Sequence, residues 1–374
     1  MKSFKIIICV LIISLTFTGC MNSVHLKDMM VVEGLGVDVA DDEISVSVQT
    51  LNASEASSGE SMQGNMTVVT AEKGNTVYHA ISNLGNYLSK KIFFGQNKLI
   101  VFSRDLAETQ FDVNIDYFLR SSDSRPDVAV CLSDSKAQDI IESKENDTHV
   151  PIEDVVYLIK NGQDSGKSMY ITVGEFLNIY YDKTSDISIP MLEMDDETKN
   201  AKLKGIGIFN KDKLVYVTND NETKGYTFIK GKIKTTSIEF EDKDLGKIVV
   251  DILNPKVKNK TEIRDGKVVF ITEIKAELMI NEIENGILIS LDKEKMERIR
   301  KLACDKVEIL CRKSFYACQN HGSDVFRVGE YLAKDNPKSY ELVSEQWDDY
   351  FPTVEYEVGA DIVLKKISDN TQLD

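Results

Sequence analysis

Basic residues are in deficit. The chain has 45 Lys and Arg against 61 Asp and Glu, a formal charge of −16 over 374 residues. Such an exterior repels phosphates and anionic headgroups, which excludes nucleic acid as a partner. Histidine is scarce: His25, His79, His149 and His321 have no metal-ligand spacing, and no nucleophile elbow, phosphate-binding loop or paired-cysteine motif accompanies them. Without a role-bearing constellation, neither enzymatic activity, a cofactor nor a metal is expected. Tryptophan occurs once, at Trp347, and reads as a core anchor for the last helical segment. The apolar run that opens the chain, residues 6–17, would make roughly 18 Å of helix, short of a ~30 Å hydrocarbon core. It is too short for a permanent span.

What is present begins with that run. Lys2 and Lys5 precede it and Thr18-Gly19-Cys20 close it with small residues, the layout of an export signal. A Cys directly after small residues at the end of an apolar run resembles the lipobox of bacterial lipoproteins. The resemblance implies a diacylglyceryl group, with acyl chains such as palmitate, on Cys20 after removal of residues 1–19. Two acyl chains suffice for stable anchoring. A plain secretory signal cut nearby would instead leave Cys20 a free thiol. Loss of Lys2 and Lys5 would make the mature chain more acidic still.

The remainder is an ordinary soluble composition, 42% hydrophobic and 28% charged, with room for two or three domains. Residues 20–28 read as a tether. Residues 29–39 and 44–51 predict a hairpin turning at Asp41-Asp42, and 52–65 an exposed loop. Residues 29–194 mix strands and helices. Strands are predicted at 67–70, 98–103, 127–132 and 187–194. Helices are predicted after Asn75, at 111–119 and 135–143, from Pro151 until Asn161-Gly162, and at 172–181. Residues 195–202, almost devoid of apolar side chains, read as a linker between domains.

Residues 203–374 are strand-rich first, at 203–209, 214–218, 232–240, 247–253 and 268–283. A long helix over 292–319 follows, then helical segments at 324–333 and 337–347 and a last strand at 353–367. Strands, helices and a final strand predict an α+β, multi-domain fold of largely antiparallel sheets packed with helices, with the long helix in the C-terminal domain. Cys304, Cys311 and Cys318 recur every seven residues along that helix, ~10.5 Å apart, so they can neither pair with one another nor share a zinc. With Cys131 they are expected as buried, reduced thiols.

Four blocks carry a wider resemblance: VEGLGVD at 32–38; FGQNKLIVFS at 94–103, followed by Leu106-Ala107 and DYFLR at 116–120; KGIGIFNKDKL at 204–214; and SDVF at 323–326 with GEYL at 329–332, running on to Trp347. In this order behind a lipobox the chain resembles the Ger(x)C lipoproteins, the C subunits of nutrient germinant receptors in spore-forming bacteria. Arg327 stands where that pattern has a small residue or glycine, and Tyr340 where it has Trp. The glycines of the blocks, Gly34, Gly36, Gly205 and Gly207, sit in strands and suit close backbone approach rather than a catalytic loop. Arg120 next to Asp123, and Arg125 before Pro126, read as an ion-paired turn rather than an anion site.

The resemblance implies a non-enzymatic, lipid-anchored subunit on the outer face of the inner spore membrane, beside two membrane-embedded partners, the A and B subunits. The alternative is a solute-binding lipoprotein of an uptake system, which would show repeated βα units in two lobes around a hinge cleft.

Overall fold

A computed structural model describes residues 29–51, 67–87, 90–120, 125–143, 150–182, 185–285 and 292–367. The signal, Cys20, the tether and the expected loop at 52–65 lie outside the described residues, as do His25, His149 and Asp123.

Strand β1 (Met29–Ala40) pairs antiparallel with β2 (Glu43–Leu51). Asp41 and Asp42 take φ of 54° and 64°, the left-handed pair that a two-residue hairpin turn needs and that Asp tolerates better than most side chains. β3 (Thr67–Gly74) adds to β2. α1 (Val77–Tyr87) then buries Val77, Ala80 and Leu84. Thr76, rather than Asn75, caps it: its Oγ1 accepts the His79 N–H at 3.1 Å.

β4 (Lys91–Phe93) and β5 (Leu99–Ser103) run parallel to β1. Helices α2 (Arg104–Thr109) and α3 (Phe111–Arg120) lead to β6 (Ala129–Ser133), parallel to β5. Helices α4 (Ala137–Ile141), α5 (Pro151–Asp164) and α6 (Val173–Tyr180) precede β7 (Ser188–Met194), parallel to β6. β5 and β6 are buried throughout because helices cover both faces of the sheet. Val101 and Cys131 pack with Ile140, Ile152 and Val155 of α4 and α5, while Phe102 faces Phe111 and Phe118 of α3. Helix α5 does not stop at Asn161-Gly162: Gly162 is buried inside it, where a Cβ would stand 2.6 Å from a Leu203 methyl.

β8 (Ala201–Asn210) and β9 (Lys213–Val217) complete a nine-stranded sheet in the order β3-β2-β1-β5-β6-β7-β8-β9, with β4 beside β1. Residues 195–202, read as a linker, are the turn of the β7–β8 hairpin and the first residues of β8, with Met194 paired to Ala201. Asp195 holds the turn by accepting the N–H groups of Glu197 and Thr198 at 3.1 and 2.9 Å. The change from one sheet to the other therefore falls after β9.

There α7 (Asp220–Ile229) intervenes, a helix not read from the sequence. Its capping box was legible: Asn219 accepts from the N–H groups of Asn221 and Glu222, and Glu222 returns a bond to the Asn219 N–H at 3.0 Å. A second sheet, β10 (Thr235–Asp242), β11 (Gly246–Arg264), β12 (Lys267–Ile283) and β13 (Glu355–Ile367), follows in that order, its last pair parallel. β11 outruns the expected 247–253 because its register shifts after Leu253, where Asn254 takes φ 48°, and the shift breaks the alternation that marks a strand.

α8 (Lys293–Asn320), capped by Asp292, lays Ile299, Ala303, Val307, Leu310 and Ser314 onto this sheet. Cys304, Cys311 and Cys318 are free and buried along it, and Cys131 is free and buried in β6. The same helix closes the outer edge of β13: Arg300 donates to the Ile362 carbonyl at 3.3 Å and Glu308 accepts the Ala360 N–H at 3.2 Å. Residues 324–327 form a turn, after which come α9 (Val328–Asp335), α10 (Pro337–Val343) and α11 (Trp347–Tyr350). The whole is a mixed α and β architecture of two sheets with a long C-terminal helix, parallel at the centre of the larger sheet and mostly antiparallel elsewhere.

Candidate functional site at the seam between the sheets

The third and fourth sequence blocks meet where the two sheets adjoin. Asn210, at the end of β8, donates to the carbonyls of His321 and Gly322 at 3.3 and 3.2 Å. Ser323 donates from its hydroxyl to the Phe209 carbonyl at 2.5 Å. Asp186, just ahead of β7, accepts the Lys211 and Asp324 N–H groups, each at 2.7 Å, and its own N–H reaches the Asp324 carbonyl at 3.2 Å. Apart from the Lys211 bond, each is a backbone group of one half satisfied by the other half.

Asp324 is the centre of this seam. Only 2% exposed, its carboxylate accepts from Val328 N at 2.8 Å, Gly329 N at 2.9 Å and the Trp347 indole Nε1 at 3.1 Å. Val328 and Gly329 open α9, so the carboxylate receives the orphan donors of that helix end. Burial pushes its pKa up to about 7 against these bonds, and Asp186 adds to the rise. Burial likewise raises Asp186 above the usual carboxylate range. Arg327, in the left-handed conformation at φ 64° and ψ 38°, explains the glycine expected there. Its guanidinium pairs with Asp182 at 3.4 Å and Glu330 at 2.5 Å. Close by, the Lys230 amine donates to the Val325 carbonyl at 3.1 Å, and burial lowers its pKa to about 8.

A groove of about 830 Å³ opens over the seam, lined by Tyr180, Asp182, Asp186, Lys211, Tyr340, Trp347 and Asp348 among others. It is acidic, and Lys211 is already paired with Asp348 at 2.6 Å. Trp347, 5% exposed, is both the core anchor expected and a contact of the seam. Tyr340 stacks obliquely against it, ring centroids 6.4 Å apart.

The remaining candidates are structural. His321 stacks on Tyr216 at 4.3 Å with Nδ1 2.8 Å from the Ala317 carbonyl, and the Tyr216 hydroxyl donates to Glu222 at 2.7 Å. Burial raises the thiols of Cys131, Cys304, Cys311 and Cys318, which keeps them protonated. Arg125 forms the expected ion-paired turn with Asp127 at 2.5 Å and also donates to the Gly95 carbonyl at 3.0 Å. Among the described residues, no group of three or more His, Cys, Asp or Glu stands where it could hold a metal ion. Asp186, Lys230 and the central role of Asp324 were not read from the sequence. Their significance is long-range burial, which leaves no local signal.

Residues 22–194 match the family model "Spore germination protein N-terminal domain", and residues 204–368 match "Spore germination B3/ GerAC like, C-terminal". The chain is 24% identical over 372 residues to spore germination protein A3 of Bacillus subtilis (strain 168), covering 96% of each. It is 23% identical over 366 residues to spore germination protein B3 of the same organism, again covering 96% of each. Its fold is similar to the crystal structure of the GerBC protein, with a TM-score of 0.60 at 18% identity over 88% of this chain and 96% of that one. Two family models in succession, and relatives matched over nearly their whole length, place the chain in the GerAC-like family of spore germination proteins, the C subunits of germinant receptors.

Proposed function

We propose that this chain is the lipid-anchored, non-enzymatic C subunit of a nutrient germinant receptor. It is held at the outer face of the inner spore membrane by a diacylglyceryl group on Cys20 and acts through assembly with two membrane-embedded subunits, A and B. The observation that carries this reading is the use made of the family blocks. Of the third and fourth blocks, the buried Asp324 and Ser323 and the part-buried Asn210 bond across the seam between the halves, as a rigid assembly module needs. The two halves differ in topology, a nine-stranded mixed sheet against a four-stranded one, unlike the two similar lobes of a hinged solute-binding protein.

Spores lacking this chain are expected to lose the response to one class of nutrient and to germinate still through receptor-independent triggers. Normal nutrient germination, with no second copy to compensate, would end the receptor reading. Cys20→Ala should leave the protein unlipidated; a variant that still enters the detergent phase and takes up labelled fatty acid would end the anchor reading. Calorimetry on residues 21–374 should show weak or no binding of free nutrient, and tight saturable binding of an amino acid or sugar would favour solute capture.

A further inference from the structure

The strands β1, β5, β6 and β7 are parallel, so they all start at one end of the large sheet. Residues 20–28 join that end at Met29, where β1 begins. A chain of that length spans at most about 30 Å, so an anchor on Cys20 would keep this end close to the bilayer. The opposite end, with the β7–β8 turn at 195–200, lies about 23 Å further along β7, whose seven residues rise ~3.3 Å each.

The near end has a distinctive surface. Met29, Met30 and Val31 pair in register with Lys91, Ile92 and Phe93, and Lys90 precedes them. The apolar members are half-buried, Lys91 is exposed and Lys90 is half-exposed. Neither lysine makes an ion pair among the described residues. Carboxylates outnumber cations in this chain and hold Lys98, just ahead of β5: it pairs with Glu33 at 2.7 Å and with Glu153. Two lysines without an ion pair among the described residues, beside apolar side chains at the end where the tether enters, complement an anionic interface. A body of net negative charge is repelled by such a surface unless the approaching end is locally cationic.

We infer that this end of the large sheet, at Met29–Val31 and Lys90–Phe93, lies against the lipid surface, with Lys90 and Lys91 contacting anionic phospholipid headgroups. The inference rests on the lipid-anchor reading and adds an orientation and a contact to it. The test uses the full lipidated chain in phosphatidylglycerol-containing vesicles that carry a nitroxide on some headgroups. A fluorophore is placed at Val68→Cys, 47% exposed on β3 at the near end, or at Glu197→Cys, exposed on the far turn. The four native thiols beyond Cys20 are buried, so the introduced cysteine is labelled selectively.

Quenching at position 68 should exceed that at 197 by about threefold or more and fall to the level at 197 in Lys90→Glu/Lys91→Glu, as headgroup contact through those charges requires. Equal quenching at both positions, in a chain that floats with the vesicles, would overturn the orientation and leave the anchor standing. Quenching at 68 that ignores the charge reversal would overturn the lysine contact. Quenching that arises only when a membrane-embedded protein partner is co-reconstituted would assign this end to that protein and refute the lipid contact. A chain that fails to float would remove the anchor reading and this inference together.

Discussion

The indole Nε1–H of Trp347 donates to Oδ2 of Asp324 at 3.1 Å, inside the seam between the two sheets. The only tryptophan of the chain is thus tied to its most deeply buried seam carboxylate. Trp347→Phe keeps most of the apolar contact with Tyr350 and Phe351 and removes the donor. It should cost about 1–3 kcal/mol, the range for leaving a buried acceptor short of its partner. Urea unfolding of the unlipidated ectodomain measures it, and an unchanged midpoint would show that the bond contributes nothing.

Asp324→Asn should have a pH-dependent penalty. The Asp324 pKa rises from 3.8 to about 7 on folding, so between those values the native state holds a proton that the unfolded chain has lost. Wild-type stability from this group is therefore greatest at the acid side of the window and declines as pH rises towards 7. Asparagine does not titrate. The stability gap between wild type and variant should be wider at pH 5 than at pH 8, and a gap that widens towards pH 8 would contradict the burial effect.

Gly225 of α7 lies against the Leu310 carbonyl of α8, and a Cβ there would collide with that backbone oxygen. Gly225→Ala would raise helix propensity at the site, yet it should destabilise by about 1–3 kcal/mol because two helix backbones must separate. A thermal melt distinguishes the outcomes, since a raised Tm would mean that the helices part at no cost.

Arg327→Gly should be neutral or stabilising. The left-handed backbone at Arg327 costs an L-residue roughly 1–2 kcal/mol, while its ion pairs with Asp182 and Glu330 are partly exposed and contribute about 0–1 kcal/mol. Loss of more than that on chemical denaturation would show that the guanidinium holds the seam.

Local pattern was enough for much of this protein. Alternation and turn residues located the β1–β2 hairpin, the i, i+7 spacing put three cysteines on one buried helix stripe, and the ordered blocks identified the family. Those features depend on neighbours within a turn or a strand, so the residues themselves carry them. Other features were decided in three dimensions. Residues 195–202 have a linker's composition, but strand pairing of β8 with β7 makes them a hairpin. β11 passes through a register shift that its own pattern conceals. Asp324 is one of many carboxylates in an acidic chain; its bonds to Val328 and Gly329 are local, and the approach of Trp347 and Asp186 from distant positions makes it the pivot of the seam. Burial and the matching of donors to acceptors across the two sheets are properties of the packed chain, and no single segment encodes them.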